Sequence, residues 1–174
     1  YIVRQNGHVH SVGGWGFPLS DLGSGARLGQ SLLQECLQVH DNIRPGSPLT
    51  RETLAEFGNR PDNLVDFAWT AKPGDFGKYA PRIFQYADQG DPVAVRLLQQ
   101  SAAHVSETLD HLIRQGVDRI SLLGGMAPLY VKWLPEHQQR LLVAPLADAL
   151  TGALQLAIKR YAQSPRATAN EQKP

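Results

Sequence analysis

The sequence predicts a mixed α/β domain in which helix dominates, and three stretches carry that expectation. "YIVRQNGHVHSV" sets Ile2, Val3, Val9 and Val12 around an Asn6-Gly7 pair, the strongest short-range signal for a β-hairpin. Residues 91–116, "DPVAVRLLQQSAAHVSETLDHLIRQG", repeat apolar side chains at steps of three and four, the period of one buried helix face. "VDRISLLGG" (117–125) is a nearly continuous apolar run broken by a glycine pair, as a strand inside a covered parallel sheet would read.

The elements follow in order. After the hairpin comes a glycine-rich loop, then a helix over about 26–40 with Leu28, Leu32, Cys36 and Val39 on one face. "DNIRPGSP" (41–48) is turn chemistry. Thr50 can cap a short helix that runs to Phe57 and stops at Gly58. Further helices fit Pro61 to Ala71, closed by a "KPGD" turn, and Phe76 to Gln89, ended by Gly90. Asp91-Pro92 is an N-cap aspartate with proline in the first turn, and it opens the longest helix, with Ala94, Leu98, Ala102, Val105, Leu109 and Leu112 as its buried face. Past 117–125 come a helix to Leu134, a short strand over Leu141–Val143 and a last helix over about 146–162. The polar tail 163–174 has the composition of a disordered segment. Because the chain opens directly in a strand and without methionine, it is expected to be part of something longer, its residues 1–162 forming one unit.

A chain of 174 residues with 42% hydrophobic content can bury a proper core. Its net charge of +1, with scattered lysines and arginines, supplies no basic field for nucleic acid. No apolar run approaches the roughly 18 residues of a membrane span, and no signal-peptide pattern is present. Cys36 is the sole cysteine, which excludes an internal disulfide and points to a reducing, cytoplasmic setting.

The chemistry concentrates in "SVGGWGFPLSDLGSGARLGQ", residues 11–30, which hold six of the 16 glycines. Glycine is costly to order, so such a segment is either a long loop with tight turns or a ligand loop offering bare backbone, with Trp15 as a wall and Asp21 as acceptor. "GSGARLG" (23–29) lacks the preceding strand that a dinucleotide fingerprint requires. "LLGGMA" (122–127) would place backbone N–H groups at a helix start, where nucleotides often bind, or use its glycines for geometry alone. His8 and His10 share a strand face without a third ligand, so no metal site is expected there; His104 and His111 read as solvent-facing, and Cys36 as core.

"GGWGFPLSDLGSGARLG" (13–29) resembles the signature of the BadF/BadG/BcrA/BcrD-type ATPases, and within them the N-acetylglucosamine and glucosamine kinase branch. "YADQGDPVAVRLLQQSA" (86–102), "ISLLGGMA" (120–127) and "TGALQLA" (151–157) follow in the family's order. The resemblance implies the carboxyl-terminal lobe of a ribonuclease-H-like, actin-like sugar kinase. Gly14, Trp15, Gly16, Asp21 and Gly25 would then meet an amino sugar, and Gly124, Gly125 and Leu129 would meet ATP. It also implies Mg²⁺, a catalytic base and phosphate loops in a missing amino-terminal lobe, no catalytic residue in this chain, and a homodimer.

Two departures stand out: Leu22 replaces the family's glutamate, and Ser20 replaces its glycine. Two other readings remain beside the kinase. One is a non-catalytic amino-sugar-binding or regulatory module, which Leu22 favours. The other is an activator of the iron–sulfur branch, for which Cys36 is the sole available ligand.

Overall fold

The computed structural model describes residues 2–5 and 8–162; Tyr1, the Asn6-Gly7 pair of the expected hairpin and the tail 163–174 expected to be disordered lie outside the described residues. Strands β1 (Ile2–Gln5) and β2 (His8–Ser11) pair antiparallel, with Ile2 opposite Ser11 and Gln5 opposite His8. From Gly25 to Arg114 the chain is mostly helical.

Helix α1 (Gly25–His40) is capped by Ser24, whose hydroxyl accepts the Arg27 N–H at 3.2 Å. Helix α2 (Pro48–Glu56) starts earlier than its sequence suggests: Ser47 is the cap, and Thr50 is its reciprocal partner three residues on. The Thr50 hydroxyl accepts the Ser47 N–H at 2.8 Å, and the Ser47 hydroxyl accepts the Thr50 N–H at 3.4 Å. Helix α3 spans Pro61–Thr70.

The "KPGD" turn is itself helical, because the Asp75 carboxylate accepts the Lys72 N–H at 3.0 Å and nucleates α4 (Pro73–Gly77). The helix expected over 76–89 is therefore split. Pro81 cannot donate to the Gly77 carbonyl, so a separate α5 (Ala80–Asp88) begins there. Helix α6 (Pro92–Arg114) buries all six of its expected apolar positions. The Asp91 carboxylate caps it, accepting the Val93 and Ala94 N–H groups at 3.0 Å, and also accepts the Leu49 N–H at 3.1 Å. One buried aspartate thus satisfies the orphan donors of two helices.

Helix α1 forms the centre of the layer, packing on α2, α3, α4, α5 and α6. Its closest approach is at Gly29, where a Cβ would stand 1.9 Å from the Phe76 carbonyl oxygen of α4. Leu32, Leu98, Ile83 and Leu49 fill the space between helices with no exposure. Glu35 is buried on α1 and pairs with Arg96 of α6 at 2.5 Å and with Arg44 at 2.6 Å. Burial alone would push its carboxyl up, but the two guanidiniums outweigh that and hold it below its ordinary value of 4.5.

The expected parallel strand over 117–125 does not form. Ile120 makes a single parallel bridge to Leu142, its N–H donating to the Leu141 carbonyl and its carbonyl accepting the Val143 N–H. A parallel strand persists where both faces are covered; here Leu123 and Val143 are exposed, and among the described residues no third strand joins them. The two-stranded hairpin is the sheet found among the described residues, and the fold is helix-rich.

The helix expected to reach Leu134 is short, comprising α7 (Ala127–Tyr130), a 3-10 turn over Val131–Trp133 and, past Pro135, α8 (Glu136–Gln139). Helix α9 (Ala149–Ala162) begins later than expected, because Asp148 caps it by accepting the Thr151 N–H at 2.7 Å. Leu146 therefore precedes the helix and is fully exposed.

Candidate functional site

The loop between β2 and α1 is folded on itself by local hydrogen bonds. The Gly16 carbonyl accepts the Ser20 N–H at 2.8 Å, and the Asp21 carbonyl accepts the Ser24 N–H at 2.9 Å. Asp21 adopts a left-handed conformation with φ of 59°, and its carboxylate accepts the Gly16 N–H through Oδ1 at 3.4 Å. That contact is long, and Asp21 also lines a cavity.

The glycines of this stretch serve two purposes. At Gly23 a Cβ would lie 2.4 Å from Val105 of α6, and at Gly25 it would lie 2.6 Å from the Met126 sulfur, so these two let the loop settle on its neighbours. Gly14 has φ of +72° with no atom within 4 Å of a would-be Cβ, and Gly124, across the cleft, has φ of +111° with the same open space. Both need glycine for their backbone angles, and their bare main chain faces open space. Gly125 is equally open.

The two stretches, a hundred residues apart in the chain, line one cavity of about 450 Å³. Its walls include Gly14, Asp21, Gly25, Gly124, Gly125 and Tyr130. The Tyr130 hydroxyl is fixed at 2.5 Å from the buried Ser101 hydroxyl. A second cavity of about 590 Å³ adjoins through Gly124, Leu122 and Leu123, with Ala127, Val131, Val143 and Pro145 giving it a mostly apolar lining. Asp148 also lines it, and its carboxyl is held below the usual aspartate range by the Thr151 backbone N–H and then by the Thr151 side chain.

Of the residues singled out in the sequence, Gly14, Asp21, Gly25, Gly124 and Gly125 meet in one place. Trp15 is 84% exposed and is not part of the wall expected of it. Gly16 acts through its hydrogen bonds to Ser20 and Asp21, and Leu129, exposed on α7, lines neither cavity. Leu22 lines the first cavity, so an apolar side chain stands where the family's glutamate would be.

Sequence reasoning missed Tyr130 and Met126. Their place in the first turn after the glycine pair was the available signal. The arrangement offers backbone polar groups, one carboxylate and an anchored phenol, which suits a small polyhydroxylated ligand beside a flatter apolar one.

The other candidates behave as core or surface. Cys36 is fully buried, and burial first, then the Glu35 and Glu56 charges, pushes its thiol up to about 12. A thiol so firmly protonated is a poor cluster ligand. His104 and His111 are exposed on α6, while the side chains of His8 and His10 lie outside the described residues. Among the described residues no group of three His, Cys, Asp or Glu could hold a metal ion, and no helix is long and apolar enough to cross a membrane.

A model of the BadF/BadG/BcrA/BcrD ATPase family matches residues 1–157. Glucosamine kinase GspK of Vibrio cholerae is 40% identical over 158 residues, covering 91% of this chain and 54% of the relative. The N-acetyl-D-glucosamine kinase of Dictyostelium discoideum is 29% identical over 112 residues, covering 62% of this chain and 35% of the relative. A crystal structure from Chromobacterium violaceum, provisionally described as an N-acetylglucosamine kinase, superposes with a TM-score of 0.79 at 33% identity, over 88% of this chain and 53% of its own. The chain thus spans about half the length of GspK and of that structure, and about a third of the Dictyostelium enzyme.

Proposed function

The chain belongs to the BadF/BadG/BcrA/BcrD ATPase family, and on that premise we propose that it is the sugar- and adenosine-binding part of an ATP-dependent amino-sugar kinase. The observation that carries the proposal is the meeting of Gly14, Asp21 and Gly25 with Gly124 and Gly125 around one cavity. Asp21 accepts hydrogen bonds from sugar hydroxyls through its carboxylate, and the bare backbone at Gly14 admits the ring closely. The nucleoside lies against Gly124 and Gly125, where a side chain would intrude, and extends into the adjoining apolar cavity. The Tyr130–Ser101 pair stiffens the wall of the first cavity.

ATP fits these linings on that openness. The magnesium ion that neutralises its phosphates when bound would find one carboxylate in each cavity, Asp21 and Asp148. Neither cavity holds a base paired with a nucleophile, so this part binds and orients. The catalytic base and phosphate loops belong to a second, ribonuclease-H-like lobe that the relatives' greater length could contain, and the isolated chain has no kinase activity. The exposed apolar face of α9, with Leu150, Leu154 and Ile158, is where the chain meets that lobe or a second copy.

A test is ATP turnover by the intact protein with glucosamine and N-acetylglucosamine, beside calorimetry on this chain. Turnover of either sugar that falls at least 100-fold in Asp21→Asn supports the proposal. No turnover with either sugar, together with no sugar binding to the chain, sinks it. Leu22 supports a second reading, a sugar-binding module without catalysis; saturable sugar binding with no ATP turnover by the intact protein would select that one.

A further inference from the structure

We propose that the chain carries a second, unassigned ligand site, a polar side cavity between α1 and α6 that takes a small phosphate-type oxyanion. The cavity measures about 290 Å³ and is distinct from the cleft. Arg27 and Ser31, one turn apart on α1, line it opposite Gln100 and His104, one turn apart on α6, and the buried Ser101 lines it too. None of the polar side chains in that lining is a carboxylate; the Ser31 hydroxyl donates to the Arg27 carbonyl at 3.0 Å and the Ser101 hydroxyl pairs with Tyr130, so Arg27, Gln100 and His104 are the groups that would meet a ligand.

Arg27 is the decisive residue. It is part-buried, yet among the described residues it forms no ion pair, whereas Arg44, Arg82, Arg96 and Arg140 each hold a glutamate. Among the described residues its guanidinium donates to the Gln30 side-chain oxygen at 2.9 Å, and it stands 5.8 Å from the centre of the Phe17 ring. A guanidinium has five N–H donors in a planar fork, so capacity remains for a tetrahedral oxyanion. A part-buried cation without a counter-ion, beside a cavity with no carboxylate in its lining, is arranged for negative charge.

The cavity borders the cleft. Leu22 and Gly23 line both, and the Ser101 hydroxyl that lines the side cavity holds Tyr130 of the cleft wall. An anion seated there touches the same loop that carries Asp21, so its occupancy would bear on how that loop presents itself to the cleft.

The experiment is a titration of this chain with inorganic phosphate at constant ionic strength, followed by amide and arginine side-chain NMR, with sodium chloride as control. Saturable shifts at Arg27, Ser31 and Gln100 are expected. They should weaken at least tenfold in Arg27→Gln and in the exposed-face variant Gln100→Leu/His104→Leu, and persist in Asp21→Asn. Shifts confined to Gly124 and Gly125 would place the phosphate in the nucleotide cleft and overturn the proposal. So would equal shifts from chloride, or binding that survives in the Gln100→Leu/His104→Leu chain, whose substitutions lie at exposed positions.

Discussion

The layer from Ser24 to Arg114 and the segment from Val117 to Ala162 are built on different principles. In the first, helices are capped by side chains, locked by close approaches and filled with unexposed leucines. In the second, Ile120, Tyr130, Leu134 and Gln138 are buried, while Leu146, Leu150, Leu154, Leu156 and Ile158 are exposed and no side chain of α9 with a described position is buried. The cleft lies on the boundary between them. One side of the site is therefore held in place by a finished core, and the other rests on a single strand bridge and short helical turns. A segment with few buried apolar contacts opens at low free energy.

The largest effect that would test this contrast is at Gly29. Gly29→Ala puts a methyl into the Phe76 carbonyl, which backbone cannot yield cheaply, and should cost about 3 kcal/mol in chemical denaturation. A loss under about 1 kcal/mol would show that α1 and α4 are less firmly locked than they look. Next, Asp91→Ala removes acceptors from three buried N–H groups on two helices, with an expected loss of about 2 kcal/mol and partial recovery in Asp91→Asn.

Glu35→Gln should cost about 1–2 kcal/mol, since the Arg44 and Arg96 side chains are themselves 49% and 36% exposed to water. Its pH signature is specific. The folded-state carboxyl titrates below 4.5, so its contribution is complete above that value and is lost as pH falls through the lower, folded-state value. Stability followed from pH 6 down to pH 3 should therefore fall less steeply in Glu35→Gln than in the parent chain.

The smallest stability effects are expected on the other side of the boundary. Gly125→Ala meets no atom within 4 Å and has no left-handed backbone to strain, so unfolding should move by less than about 0.5 kcal/mol. If the nucleoside lies there, ATP binding should nonetheless weaken roughly tenfold, about 1.4 kcal/mol. Leu150→Ser with Leu154→Ser should likewise leave stability nearly unchanged while reducing self-association in sedimentation. Marked destabilisation by that pair would mean that α9 is packed into the layer after all.

Legibility in the sequence followed the same boundary. The Asp91-Pro92 start of α6 and its six buried positions were readable because cap chemistry and helical period are local properties. The Thr50 cap failed because two hydroxyls three residues apart can each cap, and Pro48 at the first helical position decides for Ser47. The strand over 117–125 failed for a different reason: its apolar run satisfied the pattern, but a strand needs partners that local sequence does not supply.

The site divides likewise. The glycine clusters at 13–25 and 124–125 stood out as exceptions to ordinary loop composition, whereas Tyr130 looked like any aromatic on a short helix until the Ser101 hydrogen bond placed it.

The sequence by itself determined which residues would cap, which would face a core and which stretches of backbone had been stripped of side chains, because each of those is decided within a few positions along the chain. Only the tertiary structure decided that the two bare stretches face each other, that Trp15 stands outside the cleft, and that Gly23, Gly25 and Gly29 serve packing while Gly14, Gly124 and Gly125 border open space. The physical reason is that a glycine's local conformation is written in its neighbours, but what occupies the room where its side chain would be depends on elements far away in sequence.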